Sequence, residues 1–152
     1  MNIELSVGHI GLNVSELERS KAFYAEVFGL RVINESHEIG KRYAFLASDT
    51  VILTLWEQSH DRFSSVTPGL HHLAFAVEKA SEVRDYERKL RERGVEFIYD
   101  GILPHAEGSA SSAIFFRDPD GIRLEICALE LLPDEVGGNE APHGQHSTCG
   151  FF

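Results

Sequence analysis

The chain has 152 residues, 43% of them hydrophobic, and a formal net charge of -10. That length suits one compact domain, or two small halves sharing a core, and leaves no room for a large catalytic domain joined to a separate regulatory one. The acidic balance, with no cluster of Lys and Arg, excludes a nucleic-acid binder that works by replacing counterions and disfavours anionic membranes.

In chain order, residues 8–14 read GHIGLNV, a short alternating segment expected to be a strand. SELERSKAFYAEVFGL follows as a helix. Ser15 and Glu18 have capping-box spacing, Leu17, Phe23, Tyr24 and Val27 form an apolar stripe, and Gly29 suits the C-terminal cap. Strands are expected near 30–37, 41–47 and 50–57. The polar segment 58–68, QSHDRFSSVTP, reads as a linker. Residues 71–77, HHLAFAV, then repeat the first strand, and ASEVRDYERKLRERGVEF repeats the helix, with Val83, Tyr86 and Leu90 as its stripe and Gly94 at its end. Strands near 95–99, 112–117 and 122–128 complete the copy. The pattern is β-α-β-β-β, twice, offset by about 63 residues between His9 and His72. One domain over 1–130 is expected, with modules at about 6–57 and 69–128. Each module has one helix on one sheet face, so the fold class is α+β, with the sheets curled around a shared cavity. The tail 131–152 has no periodicity and reads as irregular.

Alternation along the strands sorts side chains between helix and cavity. Ile10, Leu12 and Val14 form one face of the first strand; His9, Gly11 and Asn13 form the other. In the fifth strand Leu73, Phe75 and Val77 oppose His72, Ala74 and Ala76. The bulky faces should pack under their helices, which leaves a histidine followed by small residues facing the cavity in both modules. In GIRLEI, Ile122, Leu124 and Ile126 oppose Arg123, Glu125 and Cys127. A carboxylate within an apolar strand is costly unless a cation or hydrogen bonds satisfy it. A lone histidine at a strand start is usually structural. The matched pair with Glu125 makes a candidate 2-His-1-carboxylate set, which suits Fe(II) and also Mn(II) and leaves coordination positions for water, oxygen or substrate.

The segments HIGLNV, FYAEVFGL, HHLAFAV and FFRDPDGIRLEI resemble the vicinal oxygen chelate superfamily over roughly residues 6–128. That superfamily groups glyoxalase I, extradiol dioxygenases, fosfomycin resistance enzymes, methylmalonyl-CoA epimerase and bleomycin resistance proteins. Its most specific piece is the DPDG turn followed by the strand that delivers Glu125; Pro119 fixes φ, and Asp120-Gly121 supply the turn. The resemblance implies paired βαβββ modules with metal ligands at His9, His72 and Glu125, and Zn(II) or Ni(II) as further candidate ions. Glyoxalase I resembles VIELTY, with a glutamate ligand, where this chain reads VILTLW. Ungapped, the aligned residue is Leu53, and Glu57 lies about 13 Å further along. The chain therefore departs from glyoxalase I and the epimerases and keeps the three-ligand set of the dioxygenases and fosfomycin enzymes.

Extradiol dioxygenases also use a histidine and a tyrosine near the metal. His105 falls close to the histidine position, as a catalytic candidate, although a plain loop histidine in LPHAEGSASS reads equally well. Phe115 stands where the tyrosine is expected. Leu53, Leu55, Phe115 and Arg123 are the expected pocket residues. The function expected is a metal-dependent enzyme on a small oxygen-chelating substrate, with dioxygenase-like ring cleavage first. Alternatives are a glyoxalase-type lyase or isomerase, a fosfomycin-type thiol transferase, and a metal-free drug-binding protein. A homodimer is expected, since many members of the family pair their sheets across a twofold axis. Two cysteines without a CxxC, no signal-like N-terminus and no 20-residue apolar run lead to a cytoplasmic, non-membrane expectation. The tail residues His143, His146 and Cys149 match no familiar zinc spacing.

Overall fold

The computed structural model describes residues 4–104 and 112–128. The elements are β1 (Ile10–Val14), α1 (Leu17–Phe28), β2 (Arg31–Ser36), β3 (Tyr43–Ala47), β4 (Ile52–Glu57), β5 (Leu73–Val77), α2 (Ala80–Glu92), β6 (Leu103–Pro104), β7 (Ser112–Arg117) and β8 (Arg123–Ala128). They form two four-stranded mixed sheets of matching order, β1-β4-β3-β2 and β5-β8-β7-β6. In each, the first strand runs parallel to the last strand of its module. The architecture is α+β with two βαβββ modules. The chain divides into two units, Met1–Gly69 with Asp118–Ile122, and Leu70–Arg117 with Arg123–Phe152.

In the first unit, Ile10 pairs with Leu53 and Leu12 with Leu55 across β1 and β4, while Leu46 and Ala44 of β3 pair with the same two leucines. These residues share the face under α1, where Leu12, Val14, Leu46, Leu53 and Leu55 are at most 4% exposed alongside Leu17, Tyr24 and Val27. The helix-free face carries Gly11, Asn13, Thr54, Trp56, Tyr43 and Phe45. Gly29 caps α1 at φ 67°, as its position after the stripe predicted. At the other end the outcome differs. Ser15 does not cap α1 through Glu18; the N-cap is Glu16, which makes no side-chain cap bond. Glu57 instead accepts the Leu17 N–H at 2.7 Å. That bond, then the Arg42 guanidinium, holds the Glu57 carboxyl below its ordinary range against the opposing cost of burial.

In the second unit, Leu73 pairs with Leu124 and Phe75 with Ile126, and Ile114 and Phe116 of β7 complete the face under α2. Val83 and Leu90 of α2 are fully buried against it. Glu82 accepts the Lys79 N–H at 2.8 Å and closes the first turn of α2. The segment expected as a strand at 95–99 makes only a bridge, Phe97 to Phe116, and the outer strand is the short β6. Its Pro104 lacks an N–H, which suits an edge position.

The DPDG turn belongs to the first unit. Asp118 is 5% exposed and accepts hydrogen bonds from the Tyr24 hydroxyl at 2.9 Å and from the Asp120 and Ile122 N–H groups at 2.9 and 2.8 Å. Asp120 accepts the Ser15 N–H at 3.0 Å, the Ser15 hydroxyl, and an Arg19 N–H at 2.7 Å. The negative charge therefore sits at the start of α1, where the helix dipole favours it.

Burial pushes the Asp118 carboxyl up to about 6, against the lowering effect of its hydrogen bonds. A group whose folded-state pKa is raised binds its proton more tightly in the folded protein. Its contribution to stability is therefore full below about 4 and is lost as pH rises towards about 6. The span corresponds to at most about 3 kcal/mol. Asp118→Asn removes this titration. The melting temperature of the variant minus that of the unmutated protein should rise between pH 4.5 and 7; a flat difference would mean that Asp118 titrates like an exposed carboxylate.

Candidate functional site

Glu125 lies in the middle of β8, paired with Ala74 of β5 and Phe115 of β7 on the helix-free face of the second sheet. It is 0% exposed. His72, one step before β5 and in phase with Ala74, brings its Nε2 to 3.4 Å from Glu125 Oε2. Ala74 and Ala76 carry no bulk beyond Cβ, so the imidazole and the carboxylate meet on this face. Nearby, Ala113, Phe115 and Cys127 form an apolar cluster with Ile98 and Leu103, and Tyr99 stands edge-on to Phe115 at 5.6 Å. Burial pushes the Cys127 thiol up to about 11, reinforced by the Glu125 charge. That thiol is protonated at neutral pH and is no ready nucleophile.

His71 Nδ1 is 2.9 Å from His72 Nδ1, and Arg123 Nη1 is 3.5 Å from His71 Nε2. One of the two Nδ1 atoms must carry the shared proton. Arg123 can only donate, so with that contact made His71 Nε2 accepts, His71 carries the Nδ1 proton, and His72 donates Nε2–H to the carboxylate. A metal ligand needs the Nε2 lone pair, so an ion in place of that proton calls for the other tautomer of the histidine pair. Strict alternation would put His71 on the face opposite His72, yet the two side chains touch, because residues 71 and 72 precede the regular strand.

His9 is exposed and stands in the first unit, at the start of β1 and in phase with Gly11. It lines a cleft of about 370 Å³ with Val7, Gly8, Ile10 and the turn from Ser48 to Ile52. Among the described residues, no three His, Cys, Asp or Glu side chains form a group that could hold a metal ion. The His72–Glu125 pair does fit one chemically. Ligand atoms each about 2.1 Å from one ion at near-tetrahedral angles stand about 3.4 Å apart. A fully buried carboxylate also needs a positive partner.

Two sequence expectations are corrected. Leu53 and Leu55 are not pocket residues; both are 0% exposed on the face under α1, in register with Ile10 and Leu12. The residue of β4 on the helix-free face is Thr54, opposite Gly11, with Ile52 and Trp56 to either side. Thr54 Oγ1 donates to the Ile10 carbonyl at 3.4 Å and accepts the Trp56 indole N–H at 3.2 Å. Phe115 does share the face of Glu125, and Arg123 pairs with Arg117 at the end of that face. His105, His143, His146 and Cys149 lie outside the described residues. Tyr24, which the sequence offered only as a stripe residue, holds the Asp118 turn; its hydroxyl within an otherwise apolar stripe was the available signal.

Residues 6–126 match the family model for the Glyoxalase/Bleomycin resistance protein/Dioxygenase superfamily. The chain is 28% identical over 144 residues to a manganese-dependent 2,3-dihydroxybiphenyl 1,2-dioxygenase of Geobacillus genomosp. 3, spanning 92% of this chain and 40% of the dioxygenase's length. It is 27% identical over 140 residues to the metallothiol transferase FosB of Bacillus licheniformis, spanning 91% and 86% of the two chains. The structure superposes on a glyoxylase/bleomycin resistance protein/dioxygenase domain from Frankia sp. EAN1pec with a TM-score of 0.69 and 25% identity, covering 83% and 98% of the two chains. The fold, the doubled module and the sequence match agree: the chain belongs to the Glyoxalase/Bleomycin resistance protein/Dioxygenase superfamily.

Proposed function

We propose that the chain is a metal-dependent enzyme for a small substrate that binds through two neighbouring oxygens, with His9, His72 and Glu125 holding one divalent ion. The observation that carries this reading is the 3.4 Å approach of His72 Nε2 to the fully buried Glu125. Fe(II) or Mn(II) suits such a donor set, and when bound would act as a Lewis acid with coordination positions left for substrate. Glu125 supplies the compensating negative charge. With an ion bound, His72 would donate Nδ1–H to His71 and turn its Nε2 lone pair to the metal. Ala74 and Ala76 leave room on the sheet, while the buried Phe115 and Ala113 keep water from the inner side of the pair.

Ring cleavage of the dioxygenase type is the reaction we favour. The apolar residues around Glu125 suit an aromatic substrate, and a relative matched over 92% of this chain is a manganese-dependent dioxygenase. No carboxylate of β4 stands on the helix-free face, where Ile52, Thr54 and Trp56 project, so a glyoxalase-type fourth carboxylate from this strand has no candidate. A thiol transferase is the second reading. It is favoured by the match to FosB over most of both chains, and by the Arg117–Arg123 row, which suits an anionic substrate.

Protein purified anaerobically should contain about one Fe or Mn per chain and consume oxygen with a panel of catechols. Metal without oxygen uptake would favour the transferase reading, and no metal uptake at all would favour a drug-binding protein. Glu125→Ala, or Glu125→Gln if the alanine variant does not fold, should abolish stoichiometric metal binding; retained metal would overturn the assignment. Thr54→Glu should tighten Ni(II) or Zn(II) binding by supplying a carboxylate on the helix-free face, and unchanged metal preference would mean that Thr54 is not beside the ion. Leu53→Glu should instead bury a charge under α1 and destabilise the fold by more than about 3 kcal/mol by thermal or urea unfolding.

A further inference from the structure

The helix-free face of the first sheet carries three rows of side chains. Nearest the chain start stand His9 and Ile52. The next row is Gly11, Thr54 and Phe45, and the last is Asn13, Trp56 and Tyr43. Tyr43, Phe45 and Trp56 form a continuous aromatic floor, with ring centroids 4.9 Å apart for Tyr43–Phe45, 5.1 Å for Tyr43–Trp56 and 5.9 Å for Phe45–Trp56. All three rings are half-buried, so part of each remains available for contact. The indole is pinned by its bond to Thr54, whose hydroxyl is itself engaged with Ile10. Gly11 leaves the middle row without a side chain on β1; a Cβ there would meet Thr54 Oγ1 at 3.3 Å. The exposed Asn13 and the Tyr43 phenol flank Trp56 in the row furthest from His9. His9 and Asn13 are separated along the strand by about 13 Å, the length of a substituted ring system.

We infer that this face is the binding floor for a planar aromatic molecule carrying a hydrogen-bonding substituent, its ring on Phe45, Trp56 and Tyr43 and its substituent between Asn13 and the Tyr43 hydroxyl. Rings offer area at low entropic cost and favour flat partners over puckered ones. The amide and the phenol both donate and accept, so they suit a nitro, carboxylate or hydroxyl group at the distal end. The inference rests on the proposed function only for calling that molecule the substrate.

Trp56 is the single tryptophan of the chain, so its emission reads this floor directly, without turnover. The full-length protein is titrated with 4-nitrocatechol and with cyclohexane-1,2-diol, with and without EDTA, after correction for absorbed light. 4-Nitrocatechol should quench Trp56 saturably under both conditions, and the puckered diol should not. Phe45→Leu, which keeps apolar volume without a ring, should weaken binding about five- to tenfold, and Asn13→Ala should weaken it by a smaller factor. Unsaturable quenching, or equal affinities in the unmutated protein and both variants, overturns the inference. Metal bound through Glu125 with no Trp56 response removes the ring floor alone. A Trp56 response in protein that takes up no metal removes the enzyme reading and leaves the floor standing.

Discussion

A four-stranded sheet with a single helix on it is two-sided by necessity. One face must bury its apolar side chains under the helix, and whatever chemistry the strand carries falls to the other. Strand alternation enforces the division residue by residue. In this chain the rule acts twice. It puts Leu12, Leu53 and Leu55 under α1 and Leu124 and Ile126 under α2. It leaves Gly11, Thr54 and an aromatic trio on one helix-free face, and Glu125 with His72 on the other. The placement of Glu125 and Thr54 follows from that parity, whereas His71 meets His72 only because both precede the regular strand.

Much of this was legible in the sequence because the period-two signal is strong: bulky and small residues alternate in β1 and β5, and apolar and charged ones in β8. Glu125 stood out as a carboxylate between isoleucine and leucine neighbours, and the repeat of a histidine before small residues marked the same place in two modules. The β4 strand lies in the opposite phase to the one its sequence suggests. VILTLW is apolar at nearly every position, so alternation alone gives no parity, and an ungapped comparison with VIELTY set Leu53 in place of a ligand. A one-residue slip exchanges the two faces of a strand. Only the pairing of Ile10 with Leu53 and Gly11 with Thr54 resolves it.

The start of α1 failed for a different reason. Ser15 and Glu18 have the spacing of a local cap, but Asp120, more than a hundred residues away, takes the Ser15 amide and hydroxyl. Local spacing cannot weigh a partner so distant. The DPDG motif likewise reads in sequence as a tight turn before a ligand strand. In the structure its two carboxylates are also the anchors of a helix from the opposite end of the chain, and Tyr24 is buried to meet one of them.

That exchange has a consequence for the order in which the protein can form. The hydrogen bonds from Ser15 and Tyr24 to the turn span 105 and 94 residues of sequence. A ribosome that has released only the first module has not yet made the segment that completes it. The first unit is therefore not autonomous during synthesis: Glu57 can take the Leu17 amide early, but the Ser15 amide and the Tyr24 hydroxyl meet their carboxylates only once residues 118–120 have emerged, and closing so long a loop raises the contact order of a fold otherwise built from local hairpins and crossovers. The first module is thus completed only after most of the second has been made.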